Sequence, residues 1–420
     1  MLIALSSARR KTLFAAGCLL LAAGYLYWAG RSYLASRLGD QSERSALERA
    51  AKLEPRDARP RHRLGRYLLF ANQDVSGALE NLQAAVRLNP YDARYWLDLA
   101  LAYQVAGNLS EQRQAIEQAI RSEPTTPNVA WEAANFFLVQ GETEAALRQF
   151  RVVLERDPNA ATDALELCWR VTENVDLLLE QVLPARVDTH LALLDVLVQK
   201  NEEEAAGKVW SRVLALKQPI EPQSALPYLR YLLDNRQAER AAEVWRQLPI
   251  LSPRLAAYVP ADNLVVNSSF EQEILNYGFD WRYDPRPHAR VAVDTTEFHA
   301  GGQSLSVEFD GRGGGDAGIH QLVPVKASTQ YEFRGYMKAA GIESASGLRF
   351  ALLDAYDGTP YAVTEEVLGT TQWQQHAAGF LTGPQSSLLV LKLARDPEQG
   401  LLKGRVWIDD LRITESVVPP

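Results

Sequence analysis

The residues best suited to acid–base or metal chemistry are six histidines, at positions 62, 190, 288, 299, 320 and 376. Their spacing supports neither. No HxxxH or HExxH pair exists and no cysteine stands beside a histidine, so the sequence gives no zinc site and no activated nucleophile. His299 and His320 flank turn-like stretches and read as local structural residues. Glycoside hydrolysis needs two carboxylates facing each other across a cleft. Glu365 and Glu366 are adjacent, so on a strand they would point to opposite faces. GRGGGDAG, residues 311 to 318, has the glycines of a phosphate loop. It lacks the G-K-[ST] ending and no helix follows, so it reads as a flexible loop between strands. The expectation is a protein without enzyme activity.

The elements that carry these residues follow from the rest of the chain. At 420 residues it exceeds one core, and about 100–200 residues per domain predicts two or three domains. Hydrophobic content of 47% and charged content of 23% exclude a disordered chain. Net charge is −8, and no lysine/arginine stripe is interleaved with aromatics, so nucleic acid is not an expected partner. Cys18 and Cys168 lie 150 positions apart in different settings, and a disulfide between them is not expected.

From Thr12 to Gly30 run 19 residues without a formal charge. At about 1.5 Å per residue they would cross a hydrocarbon layer of roughly 30 Å. Arg9, Arg10 and Lys11 precede the run, and Tyr25, Tyr27 and Trp28 form an aromatic belt at its far end. The positive-inside rule then predicts a cytoplasmic stub at 1–11, one transmembrane helix at 12–30, and export of the remainder. A cleavable signal sequence is the competing reading, although the bulky YLYW end offers a poor cleavage site. Cys18 reads as a cysteine inside the anchor helix.

Four prolines punctuate the next part, at Pro55, Pro90, Pro124 and Pro158, separated by 35, 34 and 34 positions. Trp96, Leu99, Ala100 and Tyr103 follow a W-x2-L-G-x2-Y pattern with alanine for glycine. Leu64, Gly65 and Leu68 occupy the matching places one unit earlier, and Ala133, Ala134 and Phe137 one unit later. This period and pattern resemble the tetratricopeptide repeat family. A helical solenoid is expected over 40–255, clearest at 58–158, with decayed units around Trp210 and Trp245. Trp96, Trp131, Trp210 and Trp245 read as packing residues. The resemblance implies a protein or peptide partner on the concave face.

Leu251-Ser252-Pro253 and Pro260-Ala261-Asp262 mark a boundary, after which the chain turns to alternating strands. They are expected at 303–309, 321–327, 330–339, 348–355, 387–394 and 405–414. NLVVNSSFE at 263–271 reads as the first strand, followed by Trp281, HAGGQSLSVEF, GIHQLVPVKASTQYEFRGYMKA, Trp373 and VWIDDLRI. In that order the motifs resemble the galactose-binding-like jelly-roll carbohydrate-binding modules, over residues 263–416. The fold class is therefore multidomain α plus β: one N-terminal transmembrane helix, a tetratricopeptide α-solenoid and a C-terminal β-sandwich jelly roll.

The second resemblance implies two sites. One is a structural calcium held by Glu271, the backbone near Gly301-Gly302, and Asp409 or Asp410. Oxygen-only ligands suit that ion, and alternation with Leu411 and Ile413 would point Asp409 inward. The other is a glycan platform, where aromatic faces stack on sugar C–H surfaces and polar groups bind hydroxyls. Trp281 and Trp373 fall at positions that are core in the family. The platform candidates are Tyr283, Tyr336, Tyr356 and Tyr361, with Arg349, Asp354 and Asp357 as polar partners.

The expected function is non-catalytic: an inner-membrane, single-pass envelope protein, N-terminus inside and bulk of the chain in the periplasm or outside. It would bind a protein partner through the repeats and a polysaccharide through the jelly roll, as an accessory to polysaccharide assembly or export. The alternative is a structural scaffold subunit of a membrane complex, its jelly roll used as a protein contact. A lack of surface tryptophans in the sandwich favours that alternative, and an exposed aromatic row on one face favours the first.

Overall fold

A computed structural model describes residues 8–41, 43–259, 262–313, 315–396 and 400–416. The expected stub therefore lies largely outside the described residues, as do Pro260 and Ala261 of the expected boundary. The chain divides into two compact units, Met1–Pro184 and Ala185–Pro420.

The first unit opens with α1 (Ala8–Gly39), 32 residues long, whose apolar half is exposed all round. Its C-terminal end packs against α2 (Arg44–Leu53). Three hairpins follow: α3 (Ala58–Phe70) with α4 (Val75–Leu88), α5 (Ala93–Val105) with α6 (Leu109–Ser122), and α7 (Pro127–Val139) with α8 (Thr143–Arg156). The local sequence explains their starts. The carboxylates of Asp57, Asp74 and Asp92 accept the backbone N–H of Arg59, Gly77 and Arg94, and Pro127 stands at the first turn of α7. Small residues set the spacing within hairpins. A Cβ on Gly65 would lie 2.6 Å from Cγ of Leu82, so only glycine lets α3 and α4 approach this closely. Trp131 meets Phe150 edge-on at 5.7 Å, a packing role as expected. The unit closes with α9 (Ala161–Thr172) and α10 (Val175–Leu177), which continues as a π-helical turn at Leu178–Val182.

The second unit begins with α11 (Val187–Gln199), α12 (Glu203–Leu216), α13 (Leu226–Asp234) and α14 (Ala238–Gln247). Its strands are β1 (Arg282–Tyr283), β2 (Ala289–Asp294), β3 (Ser304–Asp310), β4 (Ile319–Pro324), β5 (Gln330–Glu343), β6 (Leu348–Asp354), β7 (Pro360–Val363), β8 (Gly369–Leu381), β9 (Leu388–Arg395) and β10 (Lys403–Glu415). They form two antiparallel sheets, ordered β1-β4-β9-β6-β7 and β2-β3-β10-β5-β8. Alternate residues of both sheets meet in one core that includes Trp281, Val307, Phe333, Phe350, Leu391 and Ile408. This is the expected sandwich.

Three details correct the sequence reading. Residues 263–271 do not form a strand. Asn267 and Phe270 have φ of 46° and 57°, which breaks an extended run, and only isolated bonds such as Leu264 N–H to Ile413 O tie the segment to β10. Trp373 is not a core residue, because it lies half-buried within β8 on the outer side of its sheet. Asp409 does not point into the core either. A bulge after Asp409, with Asp410 at φ 47°, lets Ile408 and Leu411 both face inward while Asp409 shares the outer face with its partner Tyr336.

The terminal hairpin is fastened to the sandwich. The Trp245 indole donates to Tyr258 O at 3.1 Å and stands edge-on to Phe279 at 6.0 Å. Tyr258 in turn donates its hydroxyl to Glu273 O at 2.7 Å. The Arg236 guanidinium, in the turn between α13 and α14, lies over the Tyr356 ring at 5.1 Å. The same hairpin also packs on the preceding helices, where Trp210 of α12 meets Tyr228 of α13 at 5.9 Å and donates to Gln247 Oε1 at 2.8 Å.

Candidate functional site

Burial along β5 alternates, with Tyr331, Phe333, Met337 and Ala339 in the core and Tyr336 and Lys338 on the outer face. In β8 the Tyr336 partner is Gln375, and the Tyr336 hydroxyl lies 3.3 Å from Gln375 Oε1. The loop between β2 and β3 brings His299 across. Its imidazole stacks on Tyr336 with centroids 3.5 Å apart and planes at 15°, and it meets Trp373 at 5.9 Å. Trp407 of β10 sits beside them under Lys338 and Arg405, at 5.7 and 5.6 Å from its ring centroid. Its Nε1 donates to Asp294 Oδ2 at 2.8 Å, which together with Thr296 holds that carboxyl well below the usual carboxylate range. The outer face thus presents three adjoining rings, His299, Tyr336 and Trp373, bordered by amide and charged groups.

Two carboxylates fix the loop that carries His299. Asp409 Oδ2 accepts the N–H of His299 at 2.7 Å and of Ala300 at 2.9 Å, and Oδ1 accepts that of Asp410 at 2.7 Å. Glu271 Oε1 accepts the N–H of Gly302 at 2.7 Å. Gly301, at φ 71°, leaves no room for a Cβ beside Glu271. Burial pushes the Asp409 carboxyl above its usual range despite the amides around it. Calcium needs about six to eight oxygen donors, whereas here the loop turns N–H groups to the carboxylates. Asp410 faces His299 Nδ1 at 3.8 Å, and among the described residues no cluster of three or more histidine, cysteine or acidic side chains gathers as a cation site. The residues as arranged fit a carboxylate clamp and do not fit a calcium cage.

The seven platform candidates do not meet on one face. Tyr336 alone belongs to the β5-β8 face. Tyr283 lies at the β1 edge against the core. Arg349 reaches Glu366 at 3.1 Å and Asp396 O at 3.2 Å. Asp354 is buried, its oxygens taken by Tyr356 N–H and the Tyr361 hydroxyl, both at 2.9 Å. Tyr361 also contacts Ser386, and Asp357 Oδ1 accepts the Thr359 N–H in a turn. Tyr356 is covered by Arg236. His299 and Trp373 were not among the candidates. The alternation of Trp373 with Gln375 could have put it on the outer face, but nothing local shows that His299 crosses to a strand 37 positions later.

In the first unit the repeats frame a groove of about 480 Å³, lined by Arg66, Asp98, Leu101, Glu132, Phe136 and Val139 among others. His62 Nε2 lies 2.5 Å from Asp98 Oδ2, and Arg66 approaches the same carboxylate at 3.6 Å. Mixed apolar and charged lining of this kind suits a peptide segment.

The family described as "Tetratricopeptide repeat" matches residues 62–127 and 97–161, and the family described as "Carbohydrate binding domain" matches residues 262–398. The chain joins tetratricopeptide repeats to a domain of the carbohydrate-binding-module family. Human "Protein IFIT1 homolog B" is 32% identical over 111 residues, covering 26% of this chain and 23% of that protein. The chain thus spans about a quarter of the length of the curated relative it matches. Among solved structures, a CBM4 structure is 15% identical, covering 36% of this chain and 99% of that one, with a TM-score of 0.28. TmCBM61 in complex with β-1,4-galactotriose is 17% identical, covering 37% and 100%, with a TM-score of 0.28. MamA protein is 13% identical, covering 45% and 93%, with a TM-score of 0.29. Both domain types found in the chain are binding domains.

Proposed function

We propose that this is a non-catalytic, membrane-anchored adaptor that holds a protein partner on its repeats and a glycan on its sandwich, in support of polysaccharide assembly or export. The observation that carries the glycan half is the His299, Tyr336 and Trp373 cluster, which offers ring faces beside Gln375 and Lys338 on the β5-β8 face. The exposed apolar half of α1, preceded by Arg9, Arg10 and Lys11, supports an anchor with its N-terminus inside and the repeats in the periplasm or outside. The groove in the first unit supports a peptide-like partner.

A glycan array probed with the full chain in detergent tests the reading. Saturable binding that disappears in Tyr336→Ala and Trp373→Ala supports it, and a folded protein that binds nothing on the array removes the glycan half. The scaffold reading has its own observation, since Tyr356 lies under Arg236 and the sandwich is fastened to the last hairpin through Trp245. In that version the sandwich is a rigid contact for another protein.

A further inference from the structure

The anchor helix and the first repeat share one helix, and this fixes one edge of the repeats. The apolar stretch of α1 ends at Gly30. Immediately beyond it, Arg31 donates to Leu53 O and the Ser32 hydroxyl to Glu54 Oε1 at 2.9 Å. A surface hollow is lined jointly by Leu26, Tyr27, Gly30 and Arg31 of α1 and by Lys52 and Leu53 at the end of α2. The loop between α2 and α3 therefore stands at the level of the aromatic end of the apolar stretch. The next loops lie beside it on the same edge. Tyr95, at the start of α5, meets the His62 ring of α3 at 4.4 Å, and the Ser122 hydroxyl donates to Pro90 O at 3.0 Å.

The side chains along this edge divide by sign. Its carboxylates are engaged locally: Glu54 by Ser32, Asp57 by Arg59, Asp92 by Arg94, and Glu123 by the Ala93 N–H at 3.3 Å. Lys52, Arg56, Arg87 and Arg121 are exposed, and Tyr91 at the tip of the second loop is 82% exposed. Basic residues with an amphipathic ring are the composition that anionic head groups attract.

We propose that this edge, formed by the loops at 52–57, 87–92 and 121–126, lies on the anionic phospholipid head groups of the bilayer that holds α1. The inference rests on the anchor reading of α1. Its geometry is imposed by a helix that runs unbroken from the apolar stretch into the repeats. The edge contact restrains the first unit close to the membrane, leaving the opposite turns at Gly107 and Gly141 directed away from it.

The test uses the full chain reconstituted into vesicles of phosphatidylcholine and phosphatidylglycerol in equal amounts. Cys18→Ala leaves only Cys168, which is buried and whose thiol burial pushes up to about 12, so it stays unlabelled. An environment-sensitive fluorophore is placed at Tyr91→Cys or, as the control on the opposite edge, at Asn108→Cys. A head-group spin label should quench the position 91 probe several-fold more than the position 108 probe. Glutamine at 52, 56, 87 and 121 together, or omission of phosphatidylglycerol, should abolish the difference. Equal quenching at both positions in protein that resists alkaline carbonate extraction overturns the inference and leaves the anchor standing. Protein released by carbonate overturns the anchor reading and the inference with it. A position 91 probe shielded from both the spin label and aqueous iodide shows that another protein covers the edge, and also overturns it.

Discussion

Trp245 of α14 packs against the backbone of Gly278, whose φ of 64° and missing side chain leave room for the indole. A Cβ at 278 would collide with the ring, so the seat of this tryptophan against the sandwich depends on a glycine there. Trp245→Ala should destabilise the second unit by about 3–5 kcal/mol, the range for truncating a buried large aromatic. Gly278→Ala should destabilise it as well, through both the collision and the left-handed backbone. Urea melts of the full chain, followed by sandwich tryptophan fluorescence, measure both. A melt unchanged in either variant would show that the contact does not hold the unit together.

Asp280, two residues on, is fully buried, and burial pushes its carboxyl up to about 6. The unfolded value is about 3.9, so between roughly pH 4 and 6 the folded state holds more protons than the unfolded one. This raised pKa contributes stability at low pH that is lost as pH rises through 6. His190, His320 and His376 are shifted down by burial and act in the opposite sense, losing stability as pH falls. The Asp280 contribution is therefore read as the difference between wild type and Asp280→Asn. The variant should gain about 2–3 kcal/mol relative to wild type between pH 4 and 7. A difference constant across that range would assign the carboxyl an ordinary pKa.

Removing a stacking ring from the β5-β8 face should weaken glycan binding without unfolding the protein. Each ring is expected to contribute about 0.5–1.5 kcal/mol, or roughly two- to tenfold in affinity, for Tyr336→Ala, Trp373→Ala and His299→Ala. Tyr361→Phe, which changes only a hydroxyl held by Asp354 and Ser386, should leave affinity unchanged. Titration calorimetry with an array-positive oligosaccharide distinguishes the two sets. Loss at Tyr361 with none at Tyr336 would move the platform to the β6-β7 edge.

The clamp on the 299–302 loop makes a prediction about metal. Chelation by EDTA should leave the melting temperature unchanged, because the Asp409 and Glu271 oxygens accept N–H groups. Asp409→Ala should cost about 1–3 kcal/mol, since it strips the acceptor from the part-buried amides of the loop. A fall in melting temperature on chelation, restored by calcium, would establish the cation site implied by the family resemblance.

Much of this was legible in the sequence because it repeats or alternates. The proline period located the hairpins, alternation located six of the ten strands, and the family resemblance placed Trp281 in the core. What escaped depended on departures from regularity. Left-handed residues at 267 and 270 turned an apparent strand into a chain of turns, and one at 410 reversed the face of Asp409. Short or polar strands such as β1 and β7 carry too few apolar residues to show a period. His299 reached its partners through tertiary contacts 37 and 74 positions away, which no local pattern encodes.

The unbroken run of α1 from Ala8 to Gly39 also has a mechanical meaning. No proline or glycine pair interrupts it between the apolar stretch and its contacts with α2 and α3, so the helix has no hinge between the two. Seated in a membrane, it would turn only about the bilayer normal and drift in the plane. A load applied to the repeats would reach the lipid as torque on a stiff rod, and a partner would be met by lateral search at a fixed height.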